Sequence, residues 1–311
     1  MIITKWYQYW NFNKIIKFSY YVLGDNMKIG LCLSGGGIKS VAQVGALKAL
    51  EEENIKFNCF AGTSAGSIVA TLYASGYNSD EIYQIFKKYS KNIKYFDFGN
   101  LLKIIGSVLF KGKLVIDGLN SGKVIEKKIQ KVCAVKNIYS INDLDTELII
   151  PAVDTVTGKV YVFNSCKIDI ETKEELYVSK VPIGKAVRAS CSYPIVFSPC
   201  RFEDKALLDG GIKENIPWRE LKIIGCERIL SINFESENQK KCCNSIIEVA
   251  ERSLELMSEE LYKYEIDKID FLHTIKLPNT GLLDTSKMDE IYEQGYLQTK
   301  EKMTKIKEYL K

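Results

Sequence analysis

Gly62-Thr63-Ser64-Ala65-Gly66 follows the short, mostly apolar run Lys56-Phe57-Asn58-Cys59-Phe60-Ala61 and precedes Ser67-Ile68-Val69-Ala70-Thr71-Leu72-Tyr73. The first run suits a buried strand, and the second suits an apolar helix that breaks at Gly76. The pentapeptide between them therefore reads as a strand-to-helix turn. Gly62 and Gly66, on either side of the serine, let the backbone turn sharply and let neighbouring chain approach without a Cβ clash. That geometry puts Ser64 Oγ at the tip of the elbow, over a helix N-terminus whose amides favour developing negative charge. Alone, the pentapeptide fits an ordinary loop equally well.

Working outward, Ile29 to Leu33 reads as a first buried strand, and Ser34-Gly35-Gly36-Gly37 opens a helix running to about Glu53. Strand, helix, strand and helix in this order predict right-handed crossovers and a parallel sheet. Ser79 is expected to cap a further helix that carries Asp80 and Glu81 in its first turn. A helix over Gly122–Val132, a strand over Glu147–Val153, a hairpin arm over Lys159–Phe163 and a helix over Ile183–Ser190 follow. Short strands are predicted at Ala206–Leu208, Arg228–Asn233 and Phe271–Leu277, and two amphipathic helices near 243–265 and 286–310 close the chain. Residues 95–116 form an apolar, glycine-punctuated stretch with two readings, a cover over a lipid-sized pocket or a packing helix. The fold class is α/β with a mostly parallel central sheet and a helical C-terminal part. Residues 1–26 form an N-terminal extension, 27–222 the catalytic region, and 223–311 the strands and helices that complete the same domain.

Three glycine-bearing segments fall at the carboxyl ends of predicted strands: Ser34-Gly35-Gly36-Gly37-Ile38-Lys39, the Ser64 elbow, and Asp209-Gly210-Gly211. In an open parallel sheet that edge is where ligands bind, so distant loops can converge there. Acyl transfer needs a nucleophile, a base and donors for the oxyanion. Ser64 supplies the first, and the amides of Gly35, Gly36 and Gly37 can supply the third. A dinucleotide fingerprint fails because Ser40 stands where the last glycine belongs, and a Walker loop fails because Ile38 precedes Lys39. The base has two candidates. His273, the one histidine, would give a Ser-His-Asp triad but lies within Phe271-Leu272-His273-Thr274-Ile275, which alternates as a strand does. Asp209, carried into a turn by Gly210 and Gly211, is better placed as a direct base.

Composition bounds the class. A chain of 311 residues, 46% hydrophobic and 26% charged, can bury a sizeable core, and a net charge of +4 is too modest to argue for nucleic acid. The nine cysteines are scattered without a C-x-x-C pair, which fits reduced, mostly buried thiols in a reducing compartment and no metal site. No cofactor is expected. No run of 18 apolar residues suggests a membrane span. Residues 1–26, rich in Trp, Tyr, Phe and Lys, read either as an interfacial amphipathic segment or as an appended start.

With these motifs in this order, the chain resembles the patatin-like phospholipases over roughly Lys28 to Leu221, including Asp154-Thr155-Val156-Thr157-Gly158 and the Ser190–Pro194 turn. The resemblance implies a three-layer α/β/α fold and a Ser-Asp dyad that hydrolyses acyl esters of lipids, with Ser64 as nucleophile and Asp209 as base. It implies an oxyanion hole at Gly35, Gly36 and Gly37, with Lys39 at the family's basic position beside it. Ser40 departs from the usual last glycine of that loop, and a local adjustment is expected. The expected partner is a lipid or phospholipid at a peripheral membrane surface, from a cytoplasmic location. A transacylase, a triad esterase using His273 and a non-catalytic lipid-binding protein are the alternatives. A dyad predicts neutral-to-alkaline activity without a histidine inflection near pH 6.5, helped by burial that raises the aspartate pKa.

Overall fold

The computed structural model describes residues 27–90, 117–169, 171–236 and 243–311. The 1–26 extension and the 95–116 stretch lie outside the described residues. In chain order the elements are β1 (Ile29–Leu33), α1 (Val41–Glu52), β2 (Cys59–Gly62), α2 (Ala65–Ala74), α3 (Ser79–Tyr89) and α4 (Lys123–Val135). They continue with β3 (Glu147–Asp154), β4 (Val160–Asn164), β5 (Glu175–Val178), α5 (Ile183–Ser190), β6 (Cys200–Phe202) and β7 (Lys205–Asp209). The last are α6 (Trp218–Ile223), β8 (Arg228–Ser236), α7 (Ile246–Lys263), β9 (Phe271–Leu277) and α8 (Met288–Leu310).

The strands form one nine-stranded sheet in the order β5-β4-β3-β2-β1-β8-β9, with β7 paired to β3 and β6 to β7. The run from β3 through β2, β1 and β8 to β9 is parallel throughout. Strands buried on both faces read as continuous apolar runs, and alternate residues here enter different cores. Leu31, Leu33, Phe60, Leu148 and Ile150 point to a large core shared with α1, α2, α4, α5 and α8. Cys32, Cys59, Ala61 and Ile149 point to a smaller core closed by Leu221 of α6 and Tyr262 of α7. Helices on both faces make the expected three layers. The eight described cysteines are unpaired, and six of them are buried.

Two elements depart locally from expectation. The cap of α3 is Asn78 rather than Ser79, because the Asn78 carboxamide accepts the Glu81 N–H (2.9 Å) and the Glu81 carboxylate accepts the Asn78 N–H (2.9 Å). The glycine loop enters its helix through a 3-10 turn, Gly37–Ser40, before α1 begins. Ser40 takes ordinary helical angles there (φ −63°, ψ −11°), so a side chain is accommodated where the family pattern has glycine.

The tightest helix contact joins α1 to α8 through glycine on both sides. A Cβ on Gly45 would lie 2.0 Å from the Tyr292 carbonyl oxygen, and one on Gly295 would lie 1.9 Å from that of Ala42. Alanine is the better helix former by about 1 kcal/mol, but here it would force two backbones apart. Gly295→Ala is therefore expected to lower stability by about 2 kcal/mol or more, against overpacking costs of about 1–3 kcal/mol. Urea denaturation measures this, and an unchanged midpoint would mean that the helices do not cross this closely.

Candidate active site

The position of Ser64 follows from unequal strand lengths. β2 pairs with β3 only from Cys59↔Glu147 to Ala61↔Ile149. Beyond that point the same edge of β3 is taken by β7, running antiparallel, with Ala152↔Asp209, Val153↔Leu208 and Asp154↔Leu207. Two strands thus approach end to end along one edge. From Ile149 to Ala152 is about 10 Å at 3.3 Å per residue, and the turn that leaves β2 through Thr63 and Ser64 enters that gap. Asp209, at the end of β7, closes it from the other side.

Ser64 sits at φ 52° and ψ −128°, a conformation rare for a residue with a side chain. Such strain costs on the order of 1–3 kcal/mol and persists only where the surroundings impose it. Here they do. The Ser64 N–H donates to Ser190 Oγ (3.0 Å), and the Ser67 hydroxyl donates to the Ser64 carbonyl (2.6 Å). The Thr63 N–H donates to the Leu33 carbonyl (3.1 Å), and its hydroxyl to the Glu214 carbonyl (2.7 Å). Gly62 and Gly66 make the turn sterically possible: a Cβ on Gly62 would meet the Gly66 carbonyl oxygen at 2.5 Å, and one on Gly66 would meet that of Ser34 at 2.4 Å.

Asp209 is 2% exposed. Its Oδ1 accepts the Gly211 N–H (2.8 Å) and its own N–H donates to the Ser192 carbonyl (3.1 Å). Oδ2 has no partner at hydrogen-bonding geometry among the described residues. Burial raises the carboxyl from its ordinary 3.8 to about 7, opposed by the Ser64 hydroxyl, the Gly211 N–H and, less, the Arg188 charge. A carboxyl titrating near 7 gives an inflection in that region without any histidine. Gly210 and Gly211 continue from Asp209 into a short 3-10 turn that the aspartate itself caps.

The glycine loop lies against this elbow, since a Cβ on Gly35 would stand 3.0 Å from Ser64 Cβ. Its three amides are not equivalent. The Gly35 N–H is engaged by Asn215, with the carbonyl at 3.3 Å and Oδ1 at 3.1 Å. The N–H groups of Gly36 and Gly37 donate to no group among the described residues. Ser34 anchors the loop by donating its N–H to the Ile232 carbonyl of β8 (3.1 Å). Lys39 is half-buried in the 3-10 turn and does not line the cavity described next.

An open cavity of about 940 Å³ has Gly37 and Ser64 in its wall. Its other walls are mostly apolar, with Ile68, Phe86, Ile129, Phe197 and Leu282 among them, and Lys128 is its one charged lining residue among the described residues. Asp209 is buried beside Ser64 and does not line the cavity. His273 is elsewhere. It lies in β9, three strands from β2, which is roughly 14 Å at 4.8 Å per strand. Its Nε2 meets Thr299 Oγ1 of α8 at 2.8 Å, and burial pushes its pKa down to about 4. The structure brings Ser64, Asp209 and the glycine loop together and leaves His273 apart.

Some supporting residues carry no strong sequence signal. Ser190 and Ser192 bridge the elbow to Asp209, and only their place in the Ser190–Pro194 turn marked them. Buried Arg188 donates to the carbonyls of Ser121 and Ser198 and to Ser192 Oγ, fixing that bridge from behind. Asn215 is the residue that diverts the Gly35 amide.

No described helix is long and apolar enough to cross a membrane. The family model described as "Patatin-like phospholipase" matches residues 31–222. The chain is 32% identical over 247 residues to the uncharacterized protein YqhO of Bacillus subtilis, covering 75% of this chain and 81% of that one. It is 28% identical over 220 residues to the lysophospholipase NTE1 of Candida albicans, covering 71% of this chain but only 14% of the relative. Among solved structures, VipD from Legionella pneumophila superposes with a TM-score of 0.50 at 16% identity, over 92% of this chain and 68% of that one, a likeness of fold. The family match spans well over half of the residues, and the chain belongs to the patatin-like phospholipase family and with it to the lipid acyl hydrolases.

Proposed function

We propose that Ser64 and Asp209 form a nucleophile–base dyad that cleaves fatty-acyl esters of lipids, of phospholipase A or lysophospholipase type. The observation that carries this reading is the end-to-end approach of β2 and β7, which leaves the unpartnered Asp209 Oδ2 beside the elbow of Ser64. Asp209 accepts the Ser64 hydroxyl proton as Oγ attacks the ester carbonyl. The negative charge that develops on the carbonyl oxygen is met by the Gly36 and Gly37 N–H groups, and each such donor typically lowers a barrier by about 2.7–4 kcal/mol. Asp209 then returns the proton to the departing alcohol, leaving an acyl-serine. Water attacks that ester, Asp209 takes its proton, and the carboxylic acid leaves as Ser64 is re-protonated.

The apolar walls of the cavity suit an acyl chain. The substrate is a lipid ester taken from a membrane surface by a peripheral enzyme of a reducing, cytoplasmic compartment, in keeping with the unpaired cysteines. Residues 27–222 supply the chemistry, and 223–311 complete the same unit, since the Ile232 carbonyl holds the glycine loop.

Release of fatty acid from a lipid panel tests the reading. Ser64→Ala and Asp209→Asn are each expected to lower kcat by about 10⁴-fold or more, while His273→Ala retains activity. Loss in His273→Ala with retention in Asp209→Asn would replace the dyad by a triad. A base that titrates near 7 accepts a proton only when ionised. The wild-type kcat/KM should therefore rise with pH up to about 7 and then level, with the same inflection in His273→Ala. A profile flat from pH 5 to 9 would remove Asp209 from the role.

The same carboxyl has a stability consequence. Its folded pKa lies above its unfolded value, so the folded state holds a proton that the unfolded state has lost between pH 3.8 and about 7. Stability therefore falls as pH rises through that window, and the penalty is complete above it. Asp209→Asn is expected to raise the melting temperature at pH 8 and leave it nearly unchanged at pH 4, with an upper bound of about 4 kcal/mol on the gain. Equal effects at both pH values would count against a buried, ionisable Asp209.

A further inference from the structure

We propose that Glu175, Glu214 and Glu220 form a binding site for a calcium-sized divalent cation on the face of the sheet opposite the acyl cavity. One carboxylate oxygen from each residue lies within 4.8 Å of the other two. The three come from different elements: Glu175 opens β5, Glu214 follows the turn after Asp209, and Glu220 lies in α6. They meet beside the smaller core, to which α6 contributes Leu221.

Glu220 itself points to a ligand. It is 0% exposed, and neither of its oxygens has a partner at hydrogen-bonding geometry among the described residues; the Glu214 and Glu175 carboxyls face it. Oε2 of Glu214 is buried without a partner as well. The Glu175 carboxylate accepts one hydrogen bond among the described residues, from the Tyr177 hydroxyl at 3.2 Å. Arg219, whose charge acts on Glu214, is itself paired with Glu265. Without a counter-charge, burial and mutual repulsion hold Glu220 well above the ordinary carboxyl range and Glu214 near 7.

An all-oxygen, carboxylate-rich set selects a hard cation. Three protein carboxylates favour Ca²⁺, which takes about 6–8 oxygens in flexible geometry, over Mg²⁺, which keeps several of its waters and is usually held by one or two carboxylates. An adjoining cavity of about 470 Å³, walled by Glu214, Asn215, Glu220, Ser258 and Tyr262, has room for waters to complete the shell. The ion fixes the 211–220 segment from behind. That segment supplies the Glu214 carbonyl that accepts the Thr63 hydroxyl and the Asn215 groups that hold the Gly35 amide. A cation on one face of the sheet thereby steadies the elbow on the other.

The test uses the full chain stripped with EDTA and titrated with Tb³⁺ under tyrosine excitation, since Tyr177 is one hydrogen bond from Glu175. Saturable emission displaced by Ca²⁺ more effectively than by Mg²⁺ is expected. Glu214→Gln and Glu220→Gln should each weaken Tb³⁺ binding at least tenfold, and Glu255→Gln on exposed α7 should not. Ca²⁺ should raise the melting temperature of the wild type but not of Glu220→Gln, whose melting in EDTA reports that it folds. Equal Tb³⁺ binding by wild type and Glu220→Gln, or a wild-type melting temperature indifferent to Ca²⁺, would overturn the site and assign the cluster to a shared proton. These readouts are independent of acyl transfer, so they stand or fall apart from the dyad.

Discussion

The constraint on which the site depends is the length difference between β2 and β3. β3 runs eight residues and β2 four, so the far half of one β3 edge must find another partner. An unpaired run of backbone N–H and C=O groups in the interior is costly, and β7 supplies the missing partner from the opposite direction. Strand pairing alone therefore brings the ends of two distant segments together. Neither the Ser64 elbow nor the Asp209 turn needs affinity for the other, because both are carried there by the hydrogen bonds of a third strand.

Around that junction the polypeptide holds one residue under backbone strain and one under electrostatic strain. Ser64 keeps an unfavourable φ because Ser190, Ser67 and Thr63 occupy the hydrogen bonds through which it could relax. Asp209 keeps an unfavourable burial because its main chain is tied to Ser192 and one oxygen to Gly211. Arg188 serves the arrangement indirectly. Its buried guanidinium ties Ser121, Ser198 and Ser192 to one another, so the Ser190–Ser192 bridge cannot shift without exposing a charge.

Much of this was readable beforehand. Buried parallel strands announce themselves as apolar runs, and Ile29–Leu33 and Phe271–Leu277 coincide with the strands of the structure. The glycine and serine motifs marked the sheet edge where their loops meet. Other parts escaped for definite reasons. Glu175–Val178 and Cys200–Phe202 are short strands without clear alternation, and Trp218–Ile223 is too brief to display a helical period. Ser79 outranked Asn78 as a cap because both are good caps, and only the reciprocal bond with Glu81 decides between them. The three glycine amides looked alike in sequence, and their inequality rests on a side chain from another part of the chain, Asn215. Glu175, Glu214 and Glu220 are scattered acids in a charged chain, and no spacing rule foretells that they converge.

The hydrogen bond from Ser34 to Ile232 has a consequence in time. The elbow and the glycine loop emerge early in synthesis, the carboxylate at Asp209 much later, and the β8 strand that pins the loop later still. A nascent chain still lacking β8 carries the Ser64 elbow but not the Ile232 carbonyl to which the glycine loop is tied. Any fragment that ends before β8 lacks that tie, whatever motifs it retains.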